Sequence, residues 1–180
     1  MKELSLNILD IVENSVKAGA SLTEILINEG ETALTLKIID NGCGMSEEIC
    51  HSVIDPFYTT RTTRTVGMGI PLLKLEAELT GGEFSISSRS AEEFPQNHGT
   101  VVTAVFNKNH IDFTPLGDVV SSIVTLIQGH PQSDFLFKHN IGKKTVLLDT
   151  RELRNILEDV PLNSFEVIKW IREYLIEQYS

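Results

Sequence analysis

Only two of the 180 residues are cysteine, Cys43 and Cys50. Standing seven apart with no histidine pair at ligand spacing, they make neither a zinc site nor a disulfide framework, and both read as reduced thiols. Long apolar runs are also missing. The longest, Val119 to Ile127, is far short of the ~20 residues that a membrane span needs. Glu3, Asn7 and Asp10 interrupt the amino terminus before any apolar run can act as a signal peptide, so a soluble cytoplasmic chain is expected. Basic residues are in deficit, with 15 Lys and Arg against 25 Asp and Glu and a net charge of -10. That balance gives no basic surface for counterion release and removes nucleic acid from the expected partners. Low-complexity segments and internal repeats are absent too. What remains, at 41% hydrophobic, is an ordinary folded chain with room for one core and a small appendage.

Leu4, Ile8, Ile11, Val12 and Val16 recur at helical spacing, with Glu3, Asn7, Asp10, Asn14 and Lys17 assigned to the opposite, polar stripe. Gly19 ends this helix. Ile25 to Ile27 and the alternating Leu34, Leu36 and Ile38 read as antiparallel strands. Ser46 is an N-cap for a short helix that stops before Asp55-Pro56. A threonine- and arginine-rich loop, Tyr58 to Val66, leads to Gly67-Met68-Gly69 and a helix to about Leu79; Pro71 is tolerated in its first turn. Phe84 to Ser88 and Thr100 to Phe106 read as strands. This order predicts an α+β two-layer sandwich, with helices on one face of a mostly antiparallel sheet. A linker around 107–117 separates an expected first domain, 1–107, from a small α/β extension, 111–180. The extension holds a helix, a hairpin and two final helices. Phe165, Trp170 and Tyr174 lie on the last helix, where residues at such spacing more often form core than a docking face.

Three segments carry chemistry. Asp10 and Asn14 lie one helical turn apart and can face one ligand. The Asn14 carbonyl suits a magnesium ion that also binds phosphate oxygens, and Asp10 suits deprotonation of a water or hydroxyl. The pair alone equally fits a solvated helix face. Asp40-Asn41-Gly42-Cys43-Gly44-Met45 ends a strand with two glycines that allow close backbone approach. The Asp40 carboxylate, an acceptor only, matches the exocyclic amine of adenine and not the carbonyl of guanine. The same residues alone also make a tight turn. Gly67-Met68-Gly69 before a helix offers backbone amides to an anion.

In this order and on these elements, the segments resemble the GHKL ATPase and kinase superfamily over about Leu4 to Phe106. Asp10-Ile11-Val12-Glu13-Asn14-Ser15 and Asp40 to Met45 look like the MutL pattern. Asp55-Pro56-Phe57-Tyr58-Thr59-Thr60-Arg61, Gly67 to Ile70, Gly81-Gly82, Ser88 and Gly99-Thr100 look like sensor histidine kinases. The resemblance implies the Bergerat ATP-binding fold with ATP and Mg2+ as cofactors. It assigns Asn14 to the metal, Asp40 to adenine, Gly42 and Gly44 to the approach of the ring, and Gly67, Met68 and Gly69 to the phosphates. Further nucleotide contacts are implied at Met45, Phe57, Arg61 and Thr100, with Arg64 in the same lid.

The sequence departs from the family where histidine kinases carry asparagine or histidine and hydrolysing members carry glutamate. Asp10 stands there, an acid on a shorter arm, and is the expected catalytic residue. None of the five histidines sits in a phosphoacceptor hairpin, so the resemblance implies ATP hydrolysis or phosphorylation of a separate protein in a regulatory pathway. The alternative is a nucleotide-gated protein-binding regulator similar to anti-sigma factors, with little or no turnover.

Overall fold

The computed structural model describes residues 3–55 and 68–180. Its first element is helix α1 (Leu4–Lys17), followed by strands β1 (Leu22–Glu29) and β2 (Ala33–Asp40). The short helix α2 (Glu47–Val53) and helix α3 (Gly69–Leu79) lead to strands β3 (Glu83–Arg89) and β4 (Gly99–Asn107). Then come α4 (Val119–Gly129), β5 (Asp134–Ile141), β6 (Lys144–Asp149), α5 (Thr150–Leu157) and α6 (Phe165–Tyr179). The strands form one sheet in the order β3-β4-β2-β1-β5-β6. Every pairing is antiparallel except β1 with β5. The strands after the 108–118 connection therefore continue the sheet begun before it.

Alternation fixes which face is covered. Ile25 and Ile27, Leu34 to Ile38 at every second position, Val102, Ala104 and Phe106, and Phe135 and Phe137 are all buried on one side. Side chains alternate across a strand, so the residues between them face away from the helices and keep partial exposure. Against the buried face α1 packs Leu4, Ile8, Ile11 and Val12, α3 packs Ile70, Leu73 and Ala77, and α4 packs Ile123, Leu126 and Ile127. Each of these Leu, Ile and Val side chains contributes about 1.5–3 kcal/mol on leaving water. This is the expected α+β sandwich, helices on one face of a mostly antiparallel sheet.

Two features of α1 depart from the sequence reading. Asn7, placed there on the polar stripe, is fully buried, and its Nδ2 donates to Glu76 Oε2 on α3. Helix packing on two sides, sheet and α3, takes that position out of water. The first turn of α1 is also closed without a side-chain cap, because the amides of Leu4 and Ser5 donate to the carbonyls of Pro115 and Leu116, both at 2.9 Å. The 108–118 connection thus satisfies a helix end whose donors would otherwise lack partners. Among the described residues no helix is long and apolar enough to cross a membrane.

Candidate functional site

A hollow of about 590 Å3 opens where the helix layer meets the ends of β2 and β4. Asn14, Asp40, Gly44, Met45 and Thr100 line it together with Ile11, Ser15, Lys17, Ala18 and Cys43. Ile38, Ile70 and Val102 supply its apolar floor. A flat heteroaromatic ring fits such a lining, apolar with a few converging polar groups.

Asp40 is held by its neighbours. Its Oδ2 accepts from Ser15 Oγ at 2.7 Å and its Oδ1 from the Gly42 amide at 2.9 Å. Each oxygen keeps a second acceptor position, so the carboxylate is fixed in orientation without being saturated. A Cβ on Gly42 would stand 3.0 Å from the Ala18 Cβ and carbonyl oxygen. The turn consequently lies directly against the end of α1. Gly44 has φ +65, and a Cβ there would stand 1.9 Å from the Arg89 carbonyl oxygen, so no other residue fits without backbone movement.

A hydroxyl cluster backs Thr100 and Met45. Ser88 Oγ accepts from the Met45 amide at 2.8 Å, lies 2.8 Å from Thr100 Oγ1 and donates to the Gly99 carbonyl at 3.1 Å. This ties the glycine turn to β3 and β4. His98 Nδ1 bonds the Gly42 carbonyl from the same side. Burial pushes the Cys50 thiol up, and the charge of Glu47 adds to that, so it stays a neutral thiol on α2.

The Asn14 Nδ2, also in the lining of the hollow, is buried without a hydrogen-bond partner among the described residues. That donor is left for an acceptor such as a phosphate oxygen, and the carbonyl oxygen of the same side chain is of the type that suits a hard cation. Asp10, one turn earlier, is exposed beside the amino terminus of α3. A Cβ on Gly69 would meet the Asp10 Cβ at 2.9 Å, and among the described residues no side chain caps the first turn of α3. The Gly69 and Ile70 amides at a helix start next to a carboxylate suit an anion and a base acting beside it. The residues present thus fit a nucleotide with magnesium.

The structure brings Asn14, Asp40, Gly44, Met45 and Thr100 to one hollow. Gly42 packs behind its turn, and Asp10 and Gly69 meet beside it, next to Ile11 and Ile70. Met68 is half-exposed at the start of α3. Phe57, Arg61, Arg64 and Gly67 lie outside the described residues. Sequence reasoning gave no role to Ser15 or Lys17. The signal for Ser15 was its place after Asn14, which turns it toward the sheet end.

The two-layer fold and the position of the hollow at the strand ends set the class as an ATPase domain of the GHKL type. Comparison with known proteins gives the particular family: the chain belongs to the histidine kinase-, DNA gyrase B-, and HSP90-like ATPases, whose family pattern matches residues 2–110. The sensor histidine kinase YvrG of Bacillus subtilis is 30% identical over 105 residues, 55% of this chain and 17% of that protein. The tetrathionate sensor histidine kinase TtrS of Salmonella typhimurium is 29% identical over 97 residues, 54% of this chain and 16% of its own length. The chain thus spans about a fifth or less of the curated relatives it matches. Among solved structures, the Aquifex aeolicus MutL ATPase domain complexed with ADP superposes with a TM-score of 0.56 at 16% identity. That likeness covers 98% of this chain and 70% of the other, so it is one of fold and it includes β5 to α6.

Proposed function

We propose that the chain binds ATP with Mg2+ in this hollow and either hydrolyses it or passes its terminal phosphoryl group to a separate protein in a regulatory pathway. The observation that carries the reading is the anchored Asp40 carboxylate in one hollow with Asn14, whose buried Nδ2 has no partner among the described residues. Asp40 accepts from the exocyclic amine of adenine, and Gly42 and Gly44 let the ring lie against the turn. Asn14 holds the magnesium ion, which when bound offsets the phosphate charge. Asp10 takes the proton from an attacking water or partner hydroxyl as that oxygen bonds to the terminal phosphorus, and ADP leaves with the electrons of the broken P–O bond.

The acceptor is a protein other than this chain. Among its histidines, His98 is bound to Gly42, His130 to Glu13 at 2.8 Å, and His139 to Glu29 and Tyr179. His110 and His51 lie near Asp112 and Glu47. These engagements support an external acceptor.

A second reading, a nucleotide-gated regulator with little turnover, is favoured by α2. That seven-residue helix buries no residue fully and packs only Val53 partly against the core, so its local stability is low and a ligand can shift it. The experiment is phosphate release from ATP with Mg2+, beside calorimetric binding of ADP, on wild type, Asp10→Asn and Asn14→Ala. Binding with slow release that Asp10→Asn abolishes supports the enzyme. Binding without release supports the gated regulator. Normal turnover by both variants contradicts the site.

A further inference from the structure

Helices α1, α3 and α4 cover one face of the sheet, and the side chains of the opposite face stay exposed or half-buried. On that outer face, cross-strand pairing sets Lys37, Leu26 and Lys138 side by side on β2, β1 and β5. The next row, two residues along each strand, holds Ile39, Glu24 and Leu136. A glutamate on the middle strand is thus offset by one row from two lysines that flank the same strand. β3 carries a second offset pair, with Arg89 at one end and Glu83 at the other.

Among the described residues, no side-chain ion pair or hydrogen bond engages Glu24, Glu83, Lys37 or Lys138. The remaining acids of this face are already paired: Asp149 with Arg151 and Asp134 with Arg154, both at 2.7 Å. Arg151, whose charge also reaches Glu24, is therefore engaged. With those pairs set aside the face carries Lys37, Lys138 and Arg89 against Glu24 and Glu83, close to neutral on a chain of net charge -10. Leu22, Val101 and Val105 join Leu26, Ile39 and Leu136 on it, where a sheet face left in water ordinarily carries polar side chains.

We propose that a second copy of this chain packs on the outer face, sheet against sheet, about a twofold axis that crosses the strands between these two rows. Such a contact is self-complementary, so each row lies over the other row of the partner copy. Glu24 of one copy then stands over Leu26 of the other, with Lys37 and Lys138 about 4.8 Å to either side, the spacing of neighbouring strands. Arg89 of each copy faces Glu83 of the other, and Ile39 and Leu136 lie along the aliphatic stems of the lysines. Stacked sheets stand about 10 Å apart, a gap that such side chains fill. Six strands about 4.8 Å apart and about seven residues long span roughly 700 Å2, near the ~800 Å2 a side of a standard interface. The reciprocal offset of acid and base selects the occupant, because a second copy satisfies both halves of it at once. The nucleotide hollow opens on the helix side of the sheet, so this association does not depend on ATP.

Sedimentation equilibrium on the whole chain tests this. Wild type should form a reversible dimer at micromolar concentration, with twice the 20.0 kDa mass of the chain. One variant carries Lys37→Glu with Lys138→Glu, and another carries Glu24→Lys. Each sets like charges against one another in both halves of the twofold contact, and should raise the dimer dissociation constant at least about tenfold. An equal mixture of the two variants should restore the dimer, because every one of these contacts then joins opposite charges. Melting curves taken at dilutions where all three proteins are monomeric should coincide, these positions lying at the surface. Three results overturn the proposal: a wild type that stays monomeric, which leaves the face bare or to a different protein; a dimer that neither variant weakens, which uses another surface; or folded variants whose mixture remains monomeric.

Discussion

The hairpin of β1 and β2 carries polar side chains at both of its ends, and the two ends treat them in opposite ways. At one end, where Thr23 pairs with Asp40, Asp40 is steered by two donors yet keeps acceptor capacity, and the Asn14 Nδ2 has no partner among the described residues. At the other, Glu29 bonds His139 Nε2 at 3.1 Å and Lys108 at 2.9 Å. Lys108 also reaches the Gly30 carbonyl, His139 Nδ1 lies 2.7 Å from the Tyr179 hydroxyl, and Asn140 Nδ2 donates to Asn28 at 2.6 Å. Polar groups that spend their hydrogen bonds on one another join α6 and β5 to β1. Polar groups held in place but left unspent mark the proposed binding site.

The closed end has a definite protonation pattern. Burial holds His139 below its ordinary 6.5, against the hydrogen bond and charge of Glu29. Burial pushes Glu29 up, but the hydrogen bonds and charges of Lys108 and His139 outweigh it and leave its carboxyl below 4.5. The Tyr179 hydroxyl is pushed up by burial and by the charge of Glu29. Neutral His139 therefore donates from Nε2 to the Glu29 carboxylate and accepts at Nδ1 from Tyr179.

The contrast predicts that changes at the open end alter function without altering stability, and the reverse at the closed end. Asp10→Asn should lower phosphate turnover by about 10²–10⁴ while ADP affinity in calorimetry stays within a few-fold. Asp40→Asn should weaken ADP by about 10–100-fold, the worth of a charged hydrogen bond of about 1.5–3 kcal/mol, with the ligand-free melting curve unmoved. His139→Gln should cost about 1–3 kcal/mol in denaturant unfolding through the partners it strands, and leave ADP binding intact. The smallest effect is that of pH. Because the folded state lowers the pKa of His139, the unfolded chain binds more protons, and stability falls as pH drops below about 6.5. Glu29 adds to the loss below about 4.5. His139→Gln should flatten the part of that decline between pH 7 and 5, measured as the denaturation midpoint.

The open end was more legible in the sequence than the closed one, for a physical reason. A ligand site of this kind is built from local devices such as a helical i, i+4 pair, an acid at a strand end and glycines against it, and each leaves a short pattern. Networks between distant segments leave none. Asn28 and Asn140 are 112 positions apart, His139 and Glu29 110. Nothing local announces that β5 lies parallel to β1, that Asn7 turns inward to Glu76, or that Pro115 and Leu116 close the first turn of α1. The aromatic residues of α6 mislead in the other direction. Their spacing suggests core, yet Val167, Ile171 and Leu175 take the buried stripe and leave Trp170 and Tyr174 outside.

The most direct test of the open end is calorimetric titration of ADP with Mg2+ into wild type and Asp40→Asn, each with a melting curve recorded before ligand is added. Binding to wild type, a loss of about 10–100-fold in the variant, and coincident ligand-free melts would support an anchored, unspent carboxylate that reads the nucleotide. Equal affinity in both proteins, or no binding to wild type, would contradict it.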